Sequence, residues 1–167
     1  VWQDPAALRP LAPLALEYTV TAAGYLLVGV VGAVVCQAVG AGTVVTALLM
    51  GAVTFAVLAA TGLRWLFGAA SAAEAPEGAV QLEDRRRTVR RMAVEPLVVG
   101  AGLLILLLSA TPIAAVIAGI ALGSGVQNLI AVRWLRGQEA RRGVDLLRET
   151  PPRLLSSGRR PVVARAR

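Results

Sequence analysis

The chain has 167 residues, 56% of them hydrophobic and 4% aromatic, and its 17 basic and 10 acidic residues leave a net charge of +7. Apolar content this high, carried by Ala, Val, Leu and Gly, excludes an ordinary water-soluble domain, whose core draws its largest burial per residue from aromatics. A single Cys and no His exclude an internal disulfide and leave metal binding and acid–base catalysis without their commonest groups.

Every basic residue is Arg. The first reading is the base composition of a GC-rich genome; the second is bidentate phosphate contact. Residues 1–16 are mildly apolar and broken by Pro5, Pro10 and Pro13. They lack the basic start of a signal peptide, and read as a short arm at the membrane surface with Trp2 as a headgroup anchor.

From Tyr18 to Leu63 no residue is charged, a run of 46, and from Pro96 to Val132 a second run of 37 is equally free of charge. A bilayer crossing takes roughly 20 apolar residues, so each run predicts two spans. The first hairpin places spans at 18–39 and 44–63 with the glycine-bearing turn 40–43 between them. Residues 68–83, rich in Ala, Gly and Glu, read as a flexible linker. Asp84 is placed to cap a new helix that carries the basic segment into the membrane near Met92. The third span then begins at 92, with Pro96 in its first turns, the turn lies at 109–112, and the fourth span covers 113–135. Residues 136–167 hold nine Arg, with Pro151 and Pro152 ending any helix, and read as a disordered tail.

The predicted fold is therefore an all-α integral membrane protein of four transmembrane helices in two hairpins. Its parts are an N-terminal arm (1–17), hairpin 1 (18–67), a cytoplasmic linker and basic joint (68–91), hairpin 2 (92–135) and a basic cytoplasmic tail (136–167). Both short turns lack Arg, so the positive-inside rule puts the turns outside and both termini in the cytoplasm, as in a bacterial cytoplasmic membrane. LRWLFG at 63–68 and VRWLRG at 132–137 match at an offset of 69, which admits a parallel two-plus-two internal repeat. Chance is the competing reading, because Arg and Trp both favour the interface.

Four sets of residues stand out. Gly119 and Gly123 on span four, and Gly29, Gly32 and Ala33 on span one, have the small-residue spacing that lets helices approach closely, within the chain or between copies. Gln37, Gln127 and Asn128 are amides inside or near spans, read as cross-helix hydrogen bonds or the lining of a substrate path. Glu17 and Glu95 open spans one and three, and Arg64 and Arg133 close spans two and four. Within each hairpin acid and base lie on one side of the bilayer, so the expected ion pairs are Glu17 with Arg64 and Glu95 with Arg133. Finally Arg85, Arg86, Arg87, Arg90 and Arg91 form the basic joint, suited to anionic lipid headgroups. No aromatic lies among them, which argues against nucleic acid.

No cofactor or metal is implied, and an enzyme is the least favoured class. The leading expectation is a non-catalytic accessory or scaffold subunit that packs on a partner complex or on itself, with its Arg segments on anionic lipid. The alternative is a small oligomeric transporter or pore subunit. The two differ in what surrounds Gln127 and Asn128: a polar patch completed by a hydroxyl such as that of Thr54 for a transporter, dry small-residue contacts for a scaffold.

Overall fold

The computed structural model describes residues 10–75, 81–109, 111–149 and 162–166. Trp2, part of the linker at 76–80, the turn residue Ala110, and Pro151 and Pro152 lie outside the described residues. The chain is mostly helical, and four of its helices are long and apolar enough to cross a membrane. In order the elements are β1 (Leu11–Pro13), α1 (Leu14–Ala38), α2 (Val44–Leu58), a π-helical stretch (Ala59–Leu63) that continues without a break into α3 (Arg64–Ser71), α4 (Arg85–Leu108), α5 (Ile113–Arg142), β2 (Val144–Glu149) and β3 (Val162–Ala166).

Local chemistry explains where the helices begin and end. Thr43 is extended and its hydroxyl accepts from the Thr46 amide at 3.1 Å, which supplies a partner to one of the free N–H groups opening α2. Gln37 adds a second, accepting from the Val44 amide at 3.2 Å. Asp84 occupies the N-cap position of α4, but its side chain makes no capping bond. The helix runs through Pro96, whose ring packs on α1 at Gly24: a Cβ there would lie 2.6 Å from Pro96 Cγ. Gly143, at φ 62°, takes the left-handed conformation that closes α5.

Consecutive spans are not the ones that pack. α1 lies chiefly on α5 and next on α4, while α2 lies on α5; α1 with α2, and α4 with α5, touch little. The lateral order is α2, α5, α1, α4, so the two helix–turn–helix units interleave and do not stand as separate packed hairpins. The cause is the distribution of small residues on α5. Gly119 and Gly123 admit α2 on one side, where added Cβ atoms would lie 2.6 Å from Met50 Cβ and 2.9 Å from Thr54 Cβ respectively. On the other side Gly29 of α1 meets the Leu122 backbone and Gly32 meets Ala118, with Ala33 buried beside them. The order also lacks the symmetry of a parallel repeat, which would bring α2 against α4 as α1 is brought against α5; no comparable α2–α4 packing exists.

The arms depart from the all-α expectation. β1, β2 and β3 form an antiparallel sheet in that order, with Leu11 opposite Glu149 and Val144 opposite Ala166. Residues 81–83 run beside β1: the Leu11 amide donates to Gln81 O at 2.8 Å and the Glu83 amide to Leu11 O at 2.9 Å. The N-terminal arm, the linker and the tail are thus joined by backbone hydrogen bonds at the end of the bundle opposite the two turns. Under the sheet Leu14, Leu66, Leu135 and Leu146 are fully buried, and the Phe67 and Trp134 rings stack at 4.1 Å. The tail reads as disordered in sequence but is partly strand because Leu146, Val162 and Ala164 have this core to cover. Along the bundle, in contrast, large aliphatic side chains face outward, among them Leu27, Leu49, Leu97 and Leu108.

Candidate functional site: a polar cleft above a buried charge network

Glu17 sits in the first turn of α1 with no solvent exposure. A carboxylate there must be matched by donors, and two guanidinium groups do so. Arg91 of α4 donates through Nη2 to Glu17 Oε1 at 2.6 Å, and Arg148 of β2 donates through Nε to Oε2 at 2.9 Å and again through Nη2. The same Arg91 Nη2 reaches Glu83 Oε2 at 2.8 Å, and Thr88, also fully buried, donates its hydroxyl to that oxygen at 2.8 Å. Two acids and two bases therefore form one network that ties α1 to α4, β2 and the segment beside β1, with Arg87 at its edge and with Glu83 Oε1 and Arg91 Nε lacking hydrogen-bond partners among the described residues. Arg148 also lies over the Tyr18 ring, 5.7 Å from its centre, a favourable cation–aromatic arrangement.

These partners correct the sequence reading. Glu17 does not pair with Arg64, because α5 stands between α1 and α2. Glu95 does not pair with Arg133, because α4 and α5 hardly meet. Glu95 Oε1 instead accepts the Tyr25 hydroxyl of α1 at 2.7 Å, and Arg64 and Arg133 are exposed. Of the five joint arginines, Arg85, Arg86, Arg87 and Arg90 are exposed on α4, with Arg87 Nε 3.8 Å from Glu83 Oε1. Arg91 is not available to lipid in the same way. It lies one helical turn after Thr88 on the inward face, and its side chain retains 11% of its exposure.

Above the network, between α1, α4 and α5, is a cavity of about 290 Å³. Glu17, Tyr18 and Arg148 line its lower end, and Tyr25, Glu95 and Gln127 its upper end. Tyr25, Glu95 and Gln127 come from three helices yet lie thirteen or fourteen residues from the turn-side ends at Ala38, Leu108 and Ile113. At 1.5 Å per residue that places all three at one level, about 20 Å from the turns. Thr21 and Ser124 add hydroxyls, and Leu58 and Met92 add apolar wall.

The two amides behave differently. Asn128 donates Nδ2 to Ser124 O at 2.9 Å, which leaves its carbonyl oxygen facing elsewhere. Gln127 is 9% exposed, lines the cavity, and makes no side-chain hydrogen bond to any described residue. It abuts the π-helical stretch, where a Cβ on Gly62 would lie 3.3 Å from Gln127 Nε2; short π-helical turns inside α-helices recur at functional positions. Thr54, the hydroxyl expected beside these amides, packs instead on Gly123.

Sequence reasoning singled out Glu17, Glu95, Gln127 and Asn128, and the structure brings all four to one cleft. It missed Tyr18, Tyr25, Glu83, Ser124 and Arg148. A signal existed for Arg148 in Val144, Leu146 and Leu147 just before it, too short to separate from tail composition. Comparison with protein-family models, with curated proteins and with solved structures finds no match to this chain.

Proposed function

We propose that this is a multi-pass protein of a bacterial cytoplasmic membrane that binds, or passes, a small polar ligand in the cleft between α1, α4 and α5, without catalysing a reaction on it. The observation that carries the reading is Gln127: its amide has no hydrogen-bond partner among the described residues and opens on a cavity with room for a ligand or water to supply one. Glu95 at the same level adds to it, since an ionisable group on a span marks a binding or transport site by default.

The membrane placement draws on two features. A belt of exposed Leu, Val and Ile around all four long helices suits hydrocarbon and would make a soluble protein associate. In support, Gly42 and Ala115 of the two turn regions come together, a Cβ on Gly42 lying 2.5 Å from Ala115 Cβ, and the described arginines Arg85, Arg86, Arg87, Arg90, Arg136 and Arg142 belong to the opposite helix ends. With the positive-inside rule, the arginine end with both termini faces the cytoplasm. Arg85, Arg86, Arg87 and Arg90 are then positioned for anionic headgroups. The accessory or scaffold reading stands second. Its small-residue faces at Gly29, Gly32, Ala33, Gly119 and Gly123 are used within the chain, which leaves the outward apolar flank of α2 (Val45, Leu48, Leu49, Val53) as the surface for a partner or a second copy.

Water access tests the proposal. In a Cys36→Ala background, Ser124→Cys should react with a water-soluble maleimide in membrane vesicles far faster than Leu104→Cys on the outward face. Equal, negligible labelling at both positions would mean that the cleft is closed packing, and would favour the scaffold reading.

A further inference from the structure

We infer that the cleft selects a small protonated amine, a monocation carrying N–H donors and a modest apolar group. The inference rests on the ligand-binding reading above and adds the chemical class. It follows from which charges and hydrogen-bonding groups on the cleft wall are already matched.

Three charged side chains line the cavity: Glu17, Glu95 and Arg148. Glu17 and Arg148 bind each other, and Arg91 joins Glu17 to Glu83, which Arg87 also approaches at 3.8 Å, so both of these lining charges are matched. Glu95 is left as the lining charge that meets no cation among the described residues. Glu95 is exposed at the rim of the cleft, and an ionisable group on a span pairs with an opposite charge where one is offered. An anionic ligand would meet Glu95 with no free base to offset it, because both guanidinium groups nearby are held by Glu17.

The neutral groups point the same way. The Tyr25 hydroxyl gives its proton to Glu95, so its oxygen can only accept from a ligand. Asn128 gives one N–H to Ser124 O, which leaves its carbonyl oxygen and its second N–H to a ligand. Gln127, nine-tenths buried and unpartnered, can turn either end of its amide inward. The upper cleft thus offers a carboxylate oxygen, a phenol oxygen and up to two amide oxygens. An ammonium group, with up to three donors and no acceptor, complements that set. Leu58 and Met92 supply apolar wall for the rest of the molecule, and about 290 Å³ lies at the small end of ligand pockets, suited to one ring or a short chain.

Three probes of one shape separate the possibilities: benzylammonium, benzyl alcohol and benzoate, titrated calorimetrically against the full chain in phosphatidylcholine nanodiscs at neutral pH. Benzylammonium should bind, benzyl alcohol should bind at least tenfold more weakly, and benzoate should give no signal. Glu95→Gln, which keeps the shape and removes the charge, should weaken benzylammonium at least tenfold and leave benzyl alcohol unchanged. Ser124→Leu, which fills the cavity and alters no charge, should abolish binding of both. Each variant is checked for a single species and an unshifted melt. Should Glu95→Gln fail that check, slower reaction of the Ser124→Cys thiol with an anionic than with a cationic methanethiosulfonate carries the same prediction. Binding of benzoate or benzyl alcohol as tight as benzylammonium, or benzylammonium binding indifferent to Glu95→Gln, overturns the amine assignment; if Ser124→Leu still removes it, the cleft remains the site. No binding by any probe overturns the assignment too, and labelling of Ser124→Cys by maleimide then shows whether the cleft reading falls with it.

Discussion

Removing the Glu17 carboxylate would leave Arg148 without its acid and Arg91 with Glu83 alone, on side chains that keep only 18% and 11% of their exposure. Breaking a buried ion pair from one side costs about 3–5 kcal/mol, whereas removing both partners leaves no stranded charge. The network makes an unusual version of this test available, because deleting Glu17 together with Arg148 leaves Arg91 matched to Glu83. Glu17→Gln is therefore expected to lower the melting temperature of the purified protein sharply. Glu17→Gln combined with Arg148→Met should recover a large part of the loss, and a double variant at least as unstable as the single would mean that the network is not coupled as described. That Glu17 would need a base was legible in its position at the start of an apolar run. Which base it takes was not: Arg64 and Arg148 are equally far from it in character, and pairing depends on which helices end up as neighbours.

Among the elements, α5 organises the bundle because it is narrow on two sides. Gly119 and Gly123 face α2, and Ala118 and Gly125 face α1, where a Cβ on Gly125 would lie 2.9 Å from the Leu26 backbone nitrogen. Gly119→Leu should push α2 off α5 and destabilise by about 3 kcal/mol, the upper end of overpacking costs. Gly102→Leu, at a position with nothing within 4 Å, should leave the melt unchanged; equal effects at both positions would contradict the assigned packing. The small-residue spacing was readable from sequence, but the order of the helices was not, since two hairpins side by side and two interleaved ones share one hydropathy pattern. The strands were hidden for a related reason. A run such as 144–147, flanked by Arg, resembles a solvated tail until Leu14, Leu66 and Leu135 provide something to cover. Leu146→Ala removes a fully buried side chain from that core and should cost about 2–5 kcal/mol; no change in the melt would return the tail to disorder.

At the scale of the molecule, two kinds of interior coexist. The end that carries the sheet has a leucine and aromatic core closed by hydrogen-bonded strands. The long helices are joined by close backbone contact and present aliphatic side chains outward, as a lipid solvent permits. The cleft lies where the two meet, with the buried charge network at its lower end and Glu95, Tyr25 and Gln127 above. The number of long apolar helices, and the ends at which charge collects, were legible in the two runs free of charge. The cleft was legible in its scattered polar residues but not as a single site, because three of its walls come from helices far apart in sequence.

The central claim is a bundle that crosses the bilayer four times, with the turns on the outer side and the sheet, joint and tail on the cytoplasmic side. Sided thiol labelling tests it most directly, with single cysteines placed in a Cys36→Ala background and a membrane-impermeant maleimide applied to intact cells and to inverted vesicles. Thr43→Cys and Ser109→Cys should label in intact cells and be protected in inverted vesicles, while Ala75→Cys and Gly143→Cys should do the reverse. Labelling of a turn and of the sheet end from the same side would contradict the account.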